Sequence, residues 1–289
     1  MKLKNRRAIV TGAGRGLGAE IARRFVAEGA SVLLCARSDD ELTRTLDEIT
    51  PRLGQGQKAL ARRCDITSPA DVDQAVSVAL ETFGTLDILV NNAAVQGPMG
   101  RLEDVAWQAW VDAVAVDLIG TAYFCRAVVP HFRMRRYGKI INLSGGGATS
   151  PLPGFTAYAA SKAAIVRFTE TLAHEVMDDR IDVNAIAPGV LATRLLDEVI
   201  AAGPERIGAD YHRRMVNVKN EGGASLETAA ALCAYLASAE SDGVTGKLIA
   251  AQWDPWPDLH QHLADLAHGD VYTLRRILPK DRGLAWGDE

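Results

Sequence analysis

Tyr158 and Lys162 stand four residues apart, and four residues along a helix bring two side chains to the same face. A phenol with a pKa near ~10 exchanges protons poorly at neutral pH unless a cation sits beside its phenolate. The pair therefore reads as a proton-transfer device. Far upstream, a short apolar run, Ala8 to Val10, leads into Thr11-Gly12-Ala13-Gly14-Arg15-Gly16-Leu17-Gly18. A turn of this kind lets backbone approach a pyrophosphate and opens a helix whose N–H groups meet the negative charge. Gly12, Gly16 and Gly18 supply the freedom, and Leu17 begins the helix. A glycine-rich turn alone also serves as a plain strand-to-helix connection. Its position upstream of a tyrosine–lysine pair assigns it to a dinucleotide.

The next apolar run ends in Cys35-Ala36-Arg37-Ser38, where an NAD site usually places an acid to bond the ribose 2′-hydroxyl. No acid stands there. Arg37 can instead form charge-assisted bonds to a 2′-phosphate, and Arg15 in the turn can reach the same group. The reading is NADP(H) preferred, with NAD(H) as the alternative. The plainer alternative makes Arg37 a solvated loop cation and Arg15 a surface turn residue.

These groups need elements to position them. Apolar runs recur at Ala8 to Val10, Ser31 to Cys35, Ala59 to Cys64, Leu86 to Val90, Lys139 to Leu143, Ile181 to Ile186 and Lys247 to Ala251. Between them lie amphipathic stretches of helical length: Leu17 to Ala27, Asp39 to Leu53, Ala70 to Phe83, Trp107 to Arg135, Ala157 to Met177 and Leu226 to Leu236. Strands too apolar for a solvated face, alternating with helices, predict an α/β fold with a parallel sheet covered on both sides. That is a Rossmann-like, doubly wound, seven-stranded sheet in a single domain. Residues 1–252 would form it, with a substrate cover at about 190–225 and an extension at 253–289.

Taken in order, the signals resemble the short-chain dehydrogenase/reductase family across roughly residues 6 to 252. They are the T-G-x-x-x-G-x-G turn, Asp65 after the third strand, Asn91-Asn92-Ala93-Ala94 after the fourth, Tyr158-x-x-x-Lys162, and Pro188-Gly189-x-x-x-Thr193 after the sixth. The resemblance implies that Asp65 and Ile66 bound the adenine and that Asn91 supports the central strand. It also implies that Asn92, Ala93, Pro188 and Gly189 border the cofactor, while Val190 and Thr193 hold the nicotinamide carboxamide. Tyr158 becomes the general acid or base, with Lys162 lowering its pKa and binding the nicotinamide ribose. Read alone, Asp65 is equally a helix cap and Asn91-Asn92 a turn.

Two positions depart from the family pattern. The usual serine lies 13 residues before the tyrosine, which is Gly145 here, and the nearest hydroxyl, Ser144, is one position early. Ser144 would face the site only if the strand has ended or the following glycines kink the chain. Losing one donor to a developing oxyanion costs on the order of 3 kcal/mol, roughly a hundredfold in rate. The usual asparagine is replaced by Asp117, whose carboxylate would hold Lys162 charged but oppose a nearby phenolate. Ser144 and Asp117 complete the candidate catalytic set.

The expected activity interconverts a ketone and a secondary alcohol. Dehydration or isomerisation by the altered tetrad, and a catalytically quiet NADP-binding protein, are the alternatives. A formal net charge of −4 with scattered Lys and Arg argues against nucleic acid. No apolar sequence run approaches roughly 18 residues, and the basic N-terminus lacks an apolar signal core. Membrane association is not expected, and the expected location is the cytoplasm. Cys35, Cys64, Cys125 and Cys233 lack the spacing of a metal site and read as reduced thiols. His260, His262 and His268 read as solvated rather than as metal ligands. The mixed charges over 191–225 read as a solvated helix face. The family resemblance implies a homodimer or homotetramer through the helices at Trp107 to Arg135 and Ala157 to Met177. Trp253 and Trp256 are expected to anchor the extension, which would widen an oligomer interface and border the substrate cleft.

Overall fold

The apolar runs form seven parallel strands: β1 Arg7–Thr11, β2 Ser31–Ala36, β3 Ala59–Arg63, β4 Ile88–Asn91, β5 Gly138–Leu143, β6 Ile181–Ala187 and β7 Leu248–Ala250. They lie in the order β3-β2-β1-β4-β5-β6-β7. The computed structural model describes residues 1–286, so the last three positions of the expected extension lie outside the described residues. Side chains alternate across each strand: Ala8 and Val10 enter one apolar cluster with Val32, Leu34, Val90 and Ile249, while Ile9 enters the other with Leu33, Leu89 and Val183. The first cluster is closed by α1 (Gly16–Ala27) and α10 (Leu226–Leu236). The second is closed by α3 (Pro69–Phe83), α5 (Thr121–Arg135) and α6 (Thr156–Val176). Burial on both faces explains strands that read as continuous apolar runs.

Strand order reverses between β1 and β4. Their carboxyl ends diverge, leaving the crevice where doubly wound sheets take ligands. Ser38 and Ser68 cap α2 (Asp39–Ile49) and α3, each hydroxyl accepting an N–H of the first turn. The expected helix from Trp107 to Arg135 is continuous but not uniform. Between α4 (Trp107–Val114) and α5, residues Ala115–Gly120 form one π-helical stretch that carries Asp117. By length and composition this 29-residue helix could cross a membrane. Its Phe124, Cys125, Val128 and Phe132 instead fill the core beneath the sheet.

The extension packs on the same body. Leu259 and Leu266 are buried in the first cluster, with Trp256 and Tyr272 against it. Trp256 donates its indole N–H to the Ala251 carbonyl at 3.1 Å, whereas Trp253 is 73% exposed. Only one of the two tryptophans anchors the tail. The outward N–H groups of edge strand β7 are both taken by this segment. Leu248 donates to the Tyr272 carbonyl at 2.8 Å and Ala250 to the Asp254 carboxylate at 2.6 Å. Covering them removes a template for strand addition.

Candidate functional site

A cleft of about 760 Å³ opens at the carboxyl ends of β1, β2, β4, β5 and β6. Its floor is the glycine turn. Gly12 has φ +64°, and a Cβ built on Gly18 would stand 2.2 Å from the Gly12 carbonyl oxygen. No side chain fits there. Thr11 then ties the two diverging strands together, its hydroxyl accepting the N–H of Asn92 at 2.9 Å and of Ala93 at 3.0 Å. The Asn92 amide donates back to the Thr11 carbonyl at 2.9 Å. The turn and the fourth-strand asparagine therefore form one rigid wall.

At the β2 end of the cleft, Arg37 is exposed and has no carboxylate partner among the described residues. Arg15 is paired with Glu41 at 2.6 Å. Glu41 lines the cleft too, so an anion reaching Arg15 competes with a carboxylate already there. Asp65 accepts the N–H and hydroxyl of Thr67 at 2.9 and 2.8 Å, an Asx turn that shapes the rim. Ile66 is buried against Gly120, where an added Cβ would meet its side chain at 2.7 Å.

The chemical groups ride on α6 and the end of β5. Asn91 donates to Asn142 at 2.9 Å, and Asn142 donates to Thr169 of α6 at 2.9 Å. This buried chain fixes α6 against the sheet. Lys162 is 2% exposed. Its Nζ donates to the Leu143 carbonyl at 3.0 Å and lies 5.5 Å from the centroid of the Tyr158 ring. The helical spacing does place ammonium and phenol together. Burial, reinforced by Asp117 and Tyr211, pushes the Tyr158 phenol above its ordinary pKa.

Ser144 follows the last residue of β5, and its hydroxyl donates to the Lys162 carbonyl at 3.2 Å. Its proton is committed to the helix rather than to the open cleft. Gly145 lies directly against the phenol, because a Cβ built there would sit 2.5 Å from the Tyr158 hydroxyl oxygen. A Cβ on Gly146 would meet nothing within 4 Å. Asp117 is 1% exposed and lies behind the cleft wall. One carboxylate oxygen accepts the Val95 N–H at 2.9 Å, while the other has no partner. Burial raises its pKa, opposed by Lys162 and that N–H.

After β6, Pro188, Gly189, Val190 and Thr193 border the cleft. Gly189 has φ +89°, and the Thr193 methyl lies 3.5 Å from a Cβ built on Gly16, so this loop closes over the glycine turn. The chain continues as a lid of α7 (Arg194–Ala201), α8 (Pro204–Ile207) and α9 (Ala209–Asn220). Its inner side is a small apolar core of Phe155, Leu196, Val199, Ile207 and Met215, with Tyr158 and Tyr211 against it.

The sequence-derived residues Gly12, Arg15, Gly16, Leu17, Arg37, Asp65, Ile66, Asn92, Ala93, Ser144, Tyr158, Lys162, Pro188, Gly189, Val190 and Thr193 all line this one cleft. Gly18 and Asp117 lie behind its wall. Sequence reasoning missed Glu41 and the lid residues Val199, Tyr211 and Met215. The i, i+3 spacing of Leu196 and Val199 on one helix and the i, i+4 spacing of Tyr211 and Met215 on another carried the available signal. The extension does not border the cleft: no described residue beyond Leu226 lines it.

A floor that excludes a Cβ at Gly18, backbone-lined walls and free cationic character at Arg37 fit a pyridine dinucleotide. Residues 6–202 match the family model described as short chain dehydrogenase. A 3beta-hydroxysteroid dehydrogenase 1 from Eggerthella lenta is 38% identical over 247 residues, covering 84% of this chain and 91% of that protein. Among solved structures, an actinorhodin polyketide ketoreductase variant with NADPH is 30% identical, covers 85% of this chain and 95% of its own, and superposes with a TM-score of 0.77. An NAD+-bound xylitol dehydrogenase is 25% identical, covers 86% and 98%, and gives a TM-score of 0.79.

Proposed function

The chain belongs to the short-chain dehydrogenase/reductase family, an NAD(P)-dependent oxidoreductase acting on hydroxyl and keto groups, and we propose that it interconverts a ketone and a secondary alcohol with Tyr158 as general acid and base. The observation that carries this is the buried Lys162 ammonium beneath the Tyr158 ring, both at the cleft. When bound, the nicotinamide supplies or takes the hydride at the substrate carbon.

The chain's own residues do the rest. Gly12, Gly16, Leu17, Asn92 and Ala93 hold the phosphates and adenosine side, with Asp65 and Ile66 at the adenine and Pro188, Gly189, Val190 and Thr193 at the nicotinamide. In ketone reduction, Tyr158 donates its hydroxyl proton to the oxygen that becomes the alcohol; in alcohol oxidation its phenolate accepts it. Lys162 stabilises that phenolate by charge. Asp117 fixes the Val95 turn and sets the electrostatic background of the pair. Ser144 acts on Lys162's helix, since its hydroxyl is bonded there.

NADP(H) is the preferred cofactor in this reading, supported by Arg37, with NAD(H) admitted because Arg15 is tied to Glu41. The four buried free cysteines support a reducing, cytoplasmic location. A homodimer or homotetramer is supported by the apolar face of the long helix, where Trp107 is 66% and Ile119 56% exposed. Light scattering of the purified chain tests that assembly.

Tyr158→Phe tests the chemistry. It keeps the ring and should lower turnover by about 10²- to 10⁴-fold while cofactor affinity stays within a few-fold. Substantial residual turnover would remove Tyr158 from the reaction. With nicotinamide labelled at its transferable position, label must appear in the alcohol; its absence would favour dehydration or isomerisation.

A further inference from the structure

The lid and the open wall at Gly146 carry information about substrate that the cofactor cradle does not. Over Tyr158 the cleft is lined by Leu152, Leu196, Val199, Tyr211 and Met215. Phe155 backs this surface, meeting Tyr211 edge-on with ring centroids 5.4 Å apart. The lid is nevertheless rich in charge, and its ion pairs involve exposed side chains. Lys219 pairs with Asp197 at 2.5 Å, Arg194 with Glu198 at 3.2 Å, and Arg213 with Asp210.

Four cations line the cleft: Arg15, Arg37, Lys162 and Arg194. Arg15 and Arg37 stand at the β2 end, Lys162 is engaged beneath Tyr158, and Arg194 is paired at the base of the lid. None is left unpaired above the phenol to receive a carboxylate or phosphate. Besides the catalytic phenol and Ser144, the uncharged polar side chains on the substrate side of the cleft come down to Gln96 and Tyr211 among the described residues, few for the matched donors and acceptors that a site selecting hydroxyl-rich substrates must present. The Ser144 proton is committed to Lys162's carbonyl. Beside the phenol, β5 and Ser144 are followed by three glycines, and a side chain at Gly146 would enter open space.

We propose that the substrate is an uncharged, largely apolar ring ketone or the corresponding secondary alcohol, held between the inner face of the lid and the Gly145–Gly146 wall. The proposal rests on the oxidoreductase reading above and narrows it. The carbonyl meets Tyr158, and the ring system slides along backbone on one side while burying against Val199 and Met215 on the other. Recognition comes from burial rather than ion pairing, so selectivity should grow with apolar ring area.

The test compares 1-decalone, cyclohexanone, dihydroxyacetone and 2-oxoglutarate with the full chain and NADPH. 1-Decalone should exceed cyclohexanone in kcat/KM by tenfold or more, consistent with about 10- to 200-fold per methylene in an apolar pocket. It should exceed the two polar probes by a hundredfold or more. Met215→Lys should lower the 1-decalone value at least tenfold and raise that for 2-oxoglutarate. If that variant does not fold, Val199→Thr, which keeps the side-chain shape, should lower 1-decalone turnover several-fold. Lys219→Ala, on the outer face, should leave all four unchanged.

Calorimetric binding of 1-decalone to the NADP+-loaded protein, a pair in which neither partner can donate a hydride, gives a readout without turnover and should show a negative heat-capacity change. A polar probe equal to 1-decalone, or loss of 2-oxoglutarate turnover in Lys219→Ala, would overturn the substrate class alone. Binding of NADPH without label transfer to any of the four ketones would overturn the oxidoreductase reading and this proposal with it.

Discussion

Around Gly12 and Gly18 the site is held by backbone atoms, whereas over Tyr158 it is held by side chains from a lid that packs as its own small core. The glycine floor tolerates no added atom, since 2.2 Å separates a Cβ on Gly18 from the Gly12 carbonyl. The lid has four buried apolar residues, Leu196, Val199, Ile207 and Met215, packed with Phe155, and that packing can adjust. A shared cofactor demands fixed geometry, while a substrate pocket needs only a shaped apolar surface with its charges turned outward. One difference therefore separates what the protein has in common with its family from what is its own.

The harshest break of that contrast is Gly18→Ala. Its methyl must displace the Gly12 carbonyl, so cofactor affinity should fall by two orders of magnitude or more, read as NADPH fluorescence enhancement. A methyl-sized change in the lid, such as Val199→Ala, should leave cofactor affinity within a few-fold. Equal losses at both positions would erase the distinction.

Removing residues 253–289 should act on stability rather than on the site. It strips Leu259 and Leu266 from the core, about 1.5–3 kcal/mol each, and uncovers the N–H groups of Leu248 and Ala250 on β7. The melting temperature should drop by several degrees and the truncated chain should associate, while kcat/KM changes little because no described tail residue lines the cleft. Unchanged melting and assembly would leave the tail without a structural role.

Legibility in the sequence followed the same division. β-strand runs, the glycine turn and Tyr158-x-x-x-Lys162 were readable because each leaves a local mark: a continuous apolar run buried on both faces, positive φ, four-residue helical return. Glu41 was not, because its place beside Arg15 depends on how α2 packs across the turn. The aim of Ser144 was not, because β5 could have carried it to either face; it ends at Leu143 and the hydroxyl turns to Lys162. The fate of the two tail tryptophans also required tertiary contacts, with Trp256 tilted on Tyr235 and Trp253 left in solvent.

Arg37→Ala sharpens the contrast within the cradle. Arg37 lines the cleft without a carboxylate partner, while Arg15 is held by Glu41. Loss of one charge-assisted partner to a 2′-phosphate is worth about 1.5–3 kcal/mol, so the preference for NADPH over NADH should fall roughly ten- to a hundredfold. An unchanged ratio would mean that Arg37 is only a solvated loop cation.

Asp117→Asn gives the mildest effect and joins the two regions, because the carboxylate sits behind the phenol that serves both. Its negative charge raises the Tyr158 pKa, and burial raises its own. Removing the charge lowers the phenol's pKa. Alcohol oxidation requires phenolate and rises with pH through that pKa, so the rising limb should move to lower pH; ketone reduction requires phenol, so its falling limb should move the same way. The stability sign follows separately. A carboxyl whose folded pKa is raised favours the native state fully below its unfolded pKa, near 3.8, and loses that advantage as pH rises through the folded value. Asn does not titrate, so the variant should gain in melting temperature relative to the parent between acidic and neutral pH. Limbs that stay in place would show that Asp117 does not reach the phenol, and a melting difference constant with pH would show that folding leaves its pKa unshifted.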